Sequence, residues 1–335
     1  MKSLVTVIES TGPWAAPAFV GIFVLASLLM IWRLEAMADN GLEGTVLGTL
    51  VMPYCSGIGN LIFAFVLGTQ GGPGEEVITN ALVNNVTNLT LLIGLPAALW
   101  GMNLTPGSSR AGRKKKAAPT PPHHVHRLSL LLTLTAVLFF TAVLYVLAAD
   151  RRLDFRDGLV LVGLFLFWQS FHIFDVLKSH ARQNKPFGWR LPVDLALLGV
   201  GAYAIYLSTT WLVAWVSHLQ GGFISARHLG WLSGWLMVLP NALLAFYYAW
   251  RGQPEVVYTS QVGDGHICIP FCVGIVALYQ PVPLPGMFWT GITLLLGTTL
   301  FHFLVLAFLG RLPRLLGLLL VAAYGLFLYL GLLQT

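Results

Sequence analysis

The sequence predicts an all-helical polytopic membrane protein whose ten transmembrane helices form two inverted five-helix repeats. Three observations lead to this prediction: the composition, the long apolar segments and an internal repeat. Of the 335 residues, 56% are hydrophobic and only 10% are charged, whereas a soluble domain carries roughly 25% charged residues. Together with a mean hydropathy of +0.76, this composition excludes an ordinary globular protein, and the apolar runs exclude a disordered one.

Ten segments are long enough to cross a bilayer core, which requires about 20 residues of helix. Because unpaired backbone groups cannot be left in hydrocarbon, each segment is predicted to be a helix. The second, third, seventh and eighth segments contain Gly, Pro, Asn or Asp where lipid-facing helices carry Leu, Ile and Val. The predicted spans are 13–33, 43–68, 75–101, 127–149, 155–178, 191–217, 228–250, 255–280, 286–310 and 312–333.

The basic residues predict the direction of the spans. Fourteen of the 19 Lys and Arg residues lie in the connections that follow odd-numbered spans, and five lie on the opposite side. Cytoplasmic loops are enriched in basic residues, so both termini are predicted to lie outside the cytoplasm, with the protein in the inner (plasma) membrane. The net charge of +6 is therefore attributed to topology, and no nucleic-acid partner is expected.

The longest connection, residues 102–126, is rich in Pro, Ser and basic residues and is predicted to be a mobile cytoplasmic loop. Its His123, His124 and His126 have no accompanying Cys or carboxylate, which favours a solvated basic loop over a metal site. The loop follows the first three spans in a predicted organisation of four segments: 1–101, 102–126, 127–190 and 191–335.

A comparison of the chain with itself reveals a repeat that relates spans two and three to spans seven and eight. At an offset of 181, residues 60–73 (NLIFAFVLGTQGGP) align with residues 241–254 (NALLAFYYAWRGQP), and one extra residue then reduces the offset to 180. Since each half has an odd number of spans, the second half must enter the membrane in the opposite sense, as in transporters with inverted repeats. Two unrelated hairpins of similar composition are the alternative.

Polar residues form matched stripes within the repeat. Asn80, Asn84 and Asn88 recur every four residues in span three, on one face of a helix. Amides and carboxylates are costly in hydrocarbon, so they are expected to face the protein interior or a water-filled cavity. We therefore predict a site for an ion or a small polar substrate, with helix–helix packing as the alternative. The equivalent positions in span eight hold Ser260, Asp264, Cys268 and Cys272.

These stripes resemble a motif of the sodium/calcium exchanger family, within the cation/calcium antiporter superfamily. That family carries Gly-Ser-Asn-x-x-Asn in the second helix of each repeat hairpin. Residues 79–88 (TNALVNNVTN) look like this element, with Asn84 at its Ser and Asn88 at its last Asn. In the other copy, TSQVGDGHIC, Asp264 and Cys268 occupy those two positions.

The first helix of each hairpin in that family carries Gly-Thr-Ser-x-Pro-Glu. Residues 55–60 (CSGIGN) resemble it weakly, with Ser56 at the Thr and Asn60 at the Glu, and residues 236–241 (LMVLPN) place Asn241 at the Glu. The resemblance implies a secondary cation antiporter that works by alternating access, with the lipid bilayer and small cations as partners. The candidate ligands of the cation are Ser56, Asn60, Asn84, Asn88, Asn241, Asp264 and Cys268.

The two central Glu positions of the family decide which cation is expected, and both are Asn here. Calcium normally takes carboxylates among several oxygen ligands, whereas Asp264 alone can balance one positive charge. Of the candidate bound cations, sodium, calcium and the proton, the sequence therefore favours a monovalent ion. No other cofactor is expected.

A non-transporting membrane subunit of a larger complex is the alternative function. Loss of both acidic ligands favours this subunit, whereas the dense stripe of amides favours the transporter. Enzymatic activity is not expected, since the sequence shows no clear base–nucleophile pair, phosphate-binding loop or metal motif. His172 and His302 could ligate a haem, but nothing in the sequence pairs them, and hydrogen bonds within the helix bundle are the favoured interpretation.

The orientation is testable through the basic loop. Protease should cleave the 102–126 connection only from the cytoplasmic face, because this segment carries Arg110, Arg113 and three consecutive lysines. Immunoblotting of sealed vesicles of both orientations after protease treatment measures this. Cleavage in right-side-out vesicles would show that the orientation is reversed.

Overall fold

The computed structural model describes residues 2–39, 52–104, 123–183 and 191–333. It is predominantly helical, as the composition predicts. The helices are α1 (Lys2–Glu9), α2 (Ala15–Asp39), α3 (Met52–Gln70), α4 (Glu75–Trp100), α5 (His123–Leu147), α6 (Phe155–Gln183), α7 (Leu191–Ser217), α8 (Leu229–Trp250), α9 (Pro254–Tyr279), α10 (Phe288–Leu309) and α11 (Arg314–Leu333). Three short 3-10 turns cover Gly12–Trp14, Ala148–Asp150 and Ala226–His228.

Within the described residues, eight helices contain a stretch that is long and apolar enough to cross a membrane, and these are α2, α4, α5, α7, α8, α9, α10 and α11. In α3 the corresponding apolar stretch is shorter, Gly57–Gln70, and the predicted start of that span at residue 43 lies outside the described residues. Helix α6 occupies the place of the fifth predicted span. The total of ten spans stays a prediction.

The prediction of an exclusively helical chain is wrong in detail, because the described part of the chain includes four two-residue strands. Strand β1 (Met102–Asn103) pairs with β4 (Arg311–Leu312), and β2 (Arg152–Leu153) pairs with β3 (Val282–Pro283), both antiparallel. Segments this short cannot show a hydrophobic period. They form only where two loops meet, so the sequence gives no local signal for them. The amino-terminal helix α1, eight residues long, was likewise not predicted.

The predicted boundaries of the basic loop are also wrong. Met102 and Asn103 belong to β1, and His123, His124 and His126 lie in the first turns of α5. Two prolines at positions 121 and 122 immediately precede this helix, and proline is favoured at helix starts because the missing N–H has no intrahelical partner there. The basic residues of the loop, 110–116, lie outside the described residues.

The two repeat hairpins turn in the same way. A glycine with φ of +65°, Gly71, follows the last residue of α3, and Gly252, with φ of +69°, lies two residues after the end of α8. Such left-handed residues close helices while the next N–H reaches back to an earlier carbonyl, here Gly72 N to Leu67 O and Gln253 N to Tyr248 O, both at 2.9 Å. Each pair of positions is related by the sequence offset of 181, so glycine is required at the same point of both turns.

Helices α4 and α9 are the most enclosed in the bundle. Buried residues make up 78% and 72% of their apolar stretches, compared with 28% in α11. Helix α4 packs against α8 over its first half and α11 over its second half, while the second half of α9 packs against α6. The second helix of each hairpin therefore contacts the last helix of the other half.

Glycines bring these helices into close contact. A Cβ at Gly317 of α11 would lie 2.5 Å from Ala98 N and 2.7 Å from Gly94 O in α4, and one at Gly158 of α6 would lie 2.9 Å from Gly274 O in α9. Small residues allow membrane helices to approach in this way, which increases their van der Waals contact. Gly94 and Gly274 occupy equivalent positions of the repeat at the offset of 180.

Gly317→Ala should destabilise the protein by about 1–3 kcal/mol, because the new methyl group meets backbone atoms that cannot move independently. Gly325→Ala is the matched control on the same helix, since a Cβ there has no neighbour within 4 Å. Thermal unfolding in detergent compares the two variants. Equal midpoints for both would contradict the proposed close packing of α4 and α11.

Candidate cation site

The polar stripe of α4 lies at the centre of the bundle. Asn80, Asn84 and Asn88 are at most 1% exposed, and they face α3, α8 and α9. The residues between Val77 and Thr90 are all buried, so α4 has no lipid-facing side over this stretch. Its amides therefore need partners within the protein, because each unpaired polar group in an apolar interior costs free energy.

The helix ladder of α9 is interrupted where its polar stripe lies. The first segment ends at Gly263, a short turn follows over Gly265–Ile267, and a π turn spans Cys268–Cys272. Glycines on both sides of Asp264 weaken the helix, and Pro270 lacks the N–H that a regular ladder requires. Breaks of this kind in membrane helices occur where backbone is buried in protein or lines a cavity.

Helix α4 carries a π turn at the equivalent place. It spans Asn88–Leu92, which is related to Cys268–Cys272 by the sequence offset of 180. A π turn inserts one extra residue per turn and is frequently found at functional sites. Both π turns begin at candidate residues of the site, Asn88 and Cys268.

Five of the predicted site residues form one hydrogen-bond network. Asn84 Nδ2 donates to Asn60 Oδ1 at 3.2 Å, and Asn88 Nδ2 donates to Asn84 Oδ1 at 2.9 Å and to Asp264 Oδ2 at 3.0 Å. Asn241 Nδ2 donates to the same Asp264 oxygen. The network therefore joins α3 and α4 of the first hairpin to α8 and α9 of the second.

The network is shielded from solvent and retains one unused acceptor among its described atoms. Asn60, Asn84, Asn88 and Asp264 are 0% exposed, and Asn241 is 1% exposed. In the described part of the chain, Asn88 Oδ1 is buried and has no hydrogen-bond partner. A buried carbonyl oxygen beside a carboxylate is a ligand that a hard cation can use.

The remaining two predicted residues are placed less directly. Cys268 is fully buried at the start of the π turn, four residues after Asp264 and four residues before Cys272 on the same helix. Ser56 lies in α3, one turn before Asn60, but its side chain lies outside the described residues. Asn60 and Asn241 occupy the two ends of the network, and their direct separation stays a prediction.

Gln261 also contacts the network, and Asn85 is buried next to the stripe, although neither was among the predicted ligands. Gln261 is fully buried, its Nε2 donates to the Asn241 carbonyl at 3.5 Å, and its Oε1 is unpartnered among the described atoms. It precedes Asp264 by three residues, a spacing that places both on one helix face. That spacing is the sequence signal from which Gln261 could have been included among the predicted ligands. Asn85 lies beside the stripe and donates to the Ala81 carbonyl at 2.7 Å.

Two buried histidines outside the network make hydrogen bonds within the helix bundle. His302 contacts Tyr258 and the carbonyl of Leu89, which agrees with the interpretation favoured over haem binding. His266 Nε2 lies 3.2 Å from the Thr133 carbonyl, and its ring packs against Phe140 and Trp168. Within the described ranges, no group of three or more His, Cys, Asp or Glu is arranged to hold a metal ion.

Comparison with known proteins identifies the family of the chain. The model of the sodium/calcium exchanger protein family matches residues 13–174 and 193–333, which is most of the chain. The chain belongs to the sodium/calcium exchanger family. This exchanger-family chain is an integral membrane protein. Its membership of the family supports a function as a transporter that resembles cation antiporters. No curated protein matches it.

The exchanger-family fold is also found in solved structures of the sodium-calcium exchanger NCX_Mj. One, soaked with 10 mM Na+ and 10 mM Sr2+, is 16% identical, with a TM-score of 0.64, over 94% of this chain and 97% of that chain. Another, soaked with 2.5 mM Na+ and 0.1 mM Ca2+, is 17% identical, with a TM-score of 0.62, over 93% and 95%. At these identities the likeness shows a shared fold.

Asn241→Leu should destabilise the folded protein by about 2 kcal/mol, because it leaves the buried Asp264 carboxylate with one donor fewer. The double variant Asn241→Leu/Asp264→Leu should lose less than the sum of the two single variants, since both partners are then apolar. Thr141→Val is the control, because its buried hydroxyl bonds the Val137 carbonyl of its own helix. Strictly additive losses in thermal unfolding would show that Asn241 and Asp264 do not interact.

Proposed function

We propose that this exchanger-family protein is a secondary antiporter that moves a monovalent cation by alternating access. The proposed ligands are Asn60, Asn84, Asn88, Asn241 and Asp264, with Ser56 and Cys268 at the edge of the site. The observation that carries the proposal is the unpartnered, buried Asn88 Oδ1, within a network that contains the Asp264 carboxylate. An ion that enters there gains an amide oxygen and a charge partner together.

The charge of the site supports a monovalent ion. Asp264 supplies one negative charge, and the other members of the network are neutral amides. A dication held there would keep an unbalanced positive charge in a low-dielectric interior, which costs several kcal/mol. Sodium, one of the two ions for which the exchanger NCX_Mj is named, is the first ion to test, and calcium is expected to bind poorly.

An inverted repeat of two five-helix halves is the architecture that we propose for this function. It is supported by the glycine turns at the offset of 181 and by the π turns at the offset of 180. The strands support it as well, since β1 and β3 follow the equivalent helices α4 and α9 and each pairs with a strand of the other half. Such transporters bind substrates near the midplane, between the repeats. We propose that both termini lie outside the cytoplasm, with the protein in the inner membrane.

A second candidate function is a non-transporting subunit of a larger complex. It is favoured by one specific observation: both positions that carry Glu in the family hold Asn, and those amides hydrogen-bond within the network itself. This arrangement could stabilise the bundle without an ion. The two functions differ in whether the wild-type protein moves cations at all.

Asp264→Asn should abolish cation flux while the protein stays folded, because the amide keeps the size of the carboxylate but not its charge. The measurement is uptake of sodium-22, rubidium-86 and calcium-45 into proteoliposomes that carry an opposing sodium or proton gradient. Asp150→Asn is the matched control, since this exposed carboxylate lies between α5 and α6, away from the network.

Two results would contradict the proposal in different ways. If wild-type vesicles take up these ions no faster than empty vesicles, the subunit function replaces the transporter. If flux survives Asp264→Asn, transport occurs through a site other than the one proposed.

A further inference from the structure

A buried tyrosine–histidine pair supports the π turn of α4. His302 of α10 has its Nε2 2.7 Å from the Leu89 carbonyl, and its Nδ1 lies 2.5 Å from the Tyr258 hydroxyl of α9. His302 and Tyr258 are both 0% exposed. The pair therefore connects three helices, although neither residue belongs to the polar stripes.

The chemistry of the partners fixes the tautomer of His302. A carbonyl oxygen can only accept a hydrogen bond, so Nε2 must carry the proton that it donates to Leu89. Nδ1 is then the acceptor of the neutral ring, and the Tyr258 hydroxyl donates to it. Tyr258 thus holds the ring in the one tautomer that can support the Leu89 carbonyl.

The supported carbonyl belongs to the residue after Asn88. Leu89 is the second residue of the π turn Asn88–Leu92, where the regular ladder is interrupted, and its carbonyl accepts a hydrogen bond from His302 of another helix. Asn88 is the member of the network that donates to both Asn84 and Asp264. A shift of the Leu89 peptide would therefore move the Asn88 amide relative to Asp264.

The pair is absent from the equivalent place in the other half. At the offset of 180, Ile78 occupies the position of Tyr258, and Ile269 occupies that of Leu89. Packing at this point of the repeat can therefore be achieved with apolar side chains. The tyrosine in the second hairpin adds a directional hydrogen bond that packing does not require.

We propose that His302, oriented by Tyr258, is a positioning residue that holds the Asn88 amide at the cation site and thereby sets the affinity of that site. This inference rests on the proposed cation site. It follows the general behaviour of metal centres, in which residues that orient the ligands change the affinity by about 10–100-fold when they are mutated.

The test compares two amides that differ by one methylene. In His302→Gln the side-chain nitrogen can reach the place of Nε2 and still donate to Leu89, whereas in His302→Asn the side chain ends near the place of Nδ1. Binding of sodium-22 and rubidium-86 to the purified full chain in detergent gives the affinities directly. We expect about tenfold weaker binding in His302→Asn, near wild-type binding in His302→Gln, and an intermediate loss in Tyr258→Phe.

Thr299→Val is the matched control for these variants. Thr299 is a fully buried residue on the same helix, and its hydroxyl bonds the Leu295 carbonyl of that helix. Thr299→Val should bind the cation like the wild type. Equal affinities in wild type, His302→Asn and Tyr258→Phe would overturn the positioning role while leaving the proposed cation site intact.

Amide hydrogen exchange of residues 88–93 provides a second measurement that needs no bound ion. His302→Asn should speed exchange there, while His302→Gln and Thr299→Val should not. If the wild-type protein binds neither ion, the proposed function fails, and with it the role of His302 in affinity. Unchanged exchange in His302→Asn would show that His302 does not hold the π turn either.

Discussion

The Asp264 carboxylate is the group on which the rest of the structure depends. It is fully buried in a helix bundle, and an ionised carboxylate taken out of water is tolerated only where donors or cations replace its hydration. Its donors come from Asn88 and Asn241, which lie in different hairpins. The two hairpins must therefore meet at one point, and the close helix contacts serve this requirement. Gly230 and Gly234 of α8, which pack directly on α4, allow the approach.

Local chemistry explains how the backbone accommodates this centre. Asn amides at a spacing of four residues give α4 a polar face without breaking the helix, whereas two glycines and a proline break α9 at the same level. The extra residue in each π turn changes the rotation of the helix beyond the site. Both helices then present glycines, Gly94 and Gly274, to the last helix of the opposite half. The same short segments of α4 and α9 thus determine both where the polar residues lie and how the glycines pack against the neighbouring helix.

The sequence was sufficient to predict the features that recur at a regular spacing along the chain. The apolar segments predicted the bundle, and the spacing of Asn80, Asn84 and Asn88 predicted a buried polar face. The offsets of 180 and 181 relate the glycine turns and the π turns of the two hairpins. Features that depend on the rotation and crossing of helices were not predictable. The contact between His302 and Leu89 is one example, because residues more than two hundred positions apart meet only after three helices have packed. The two-residue strands are another, since nothing local distinguishes Arg311–Leu312 from an ordinary connection.

The contact between α4 and α11 has a consequence for biosynthesis. The carboxyl-terminal part of α4 packs against α11, and β1 pairs with a strand that immediately precedes α11. Helix α11 leaves the ribosome well after α4, so α4 waits in the bilayer with an uncovered glycine-bearing surface until α11 has been made. The contact between α4 and α11 thus forms late and between distant segments, which is the regime in which folding is slow and incompletely packed intermediates persist. A chain that lacked α11 would leave the backbone at Gly94 uncovered, because Gly317 and Leu320 are its neighbours there.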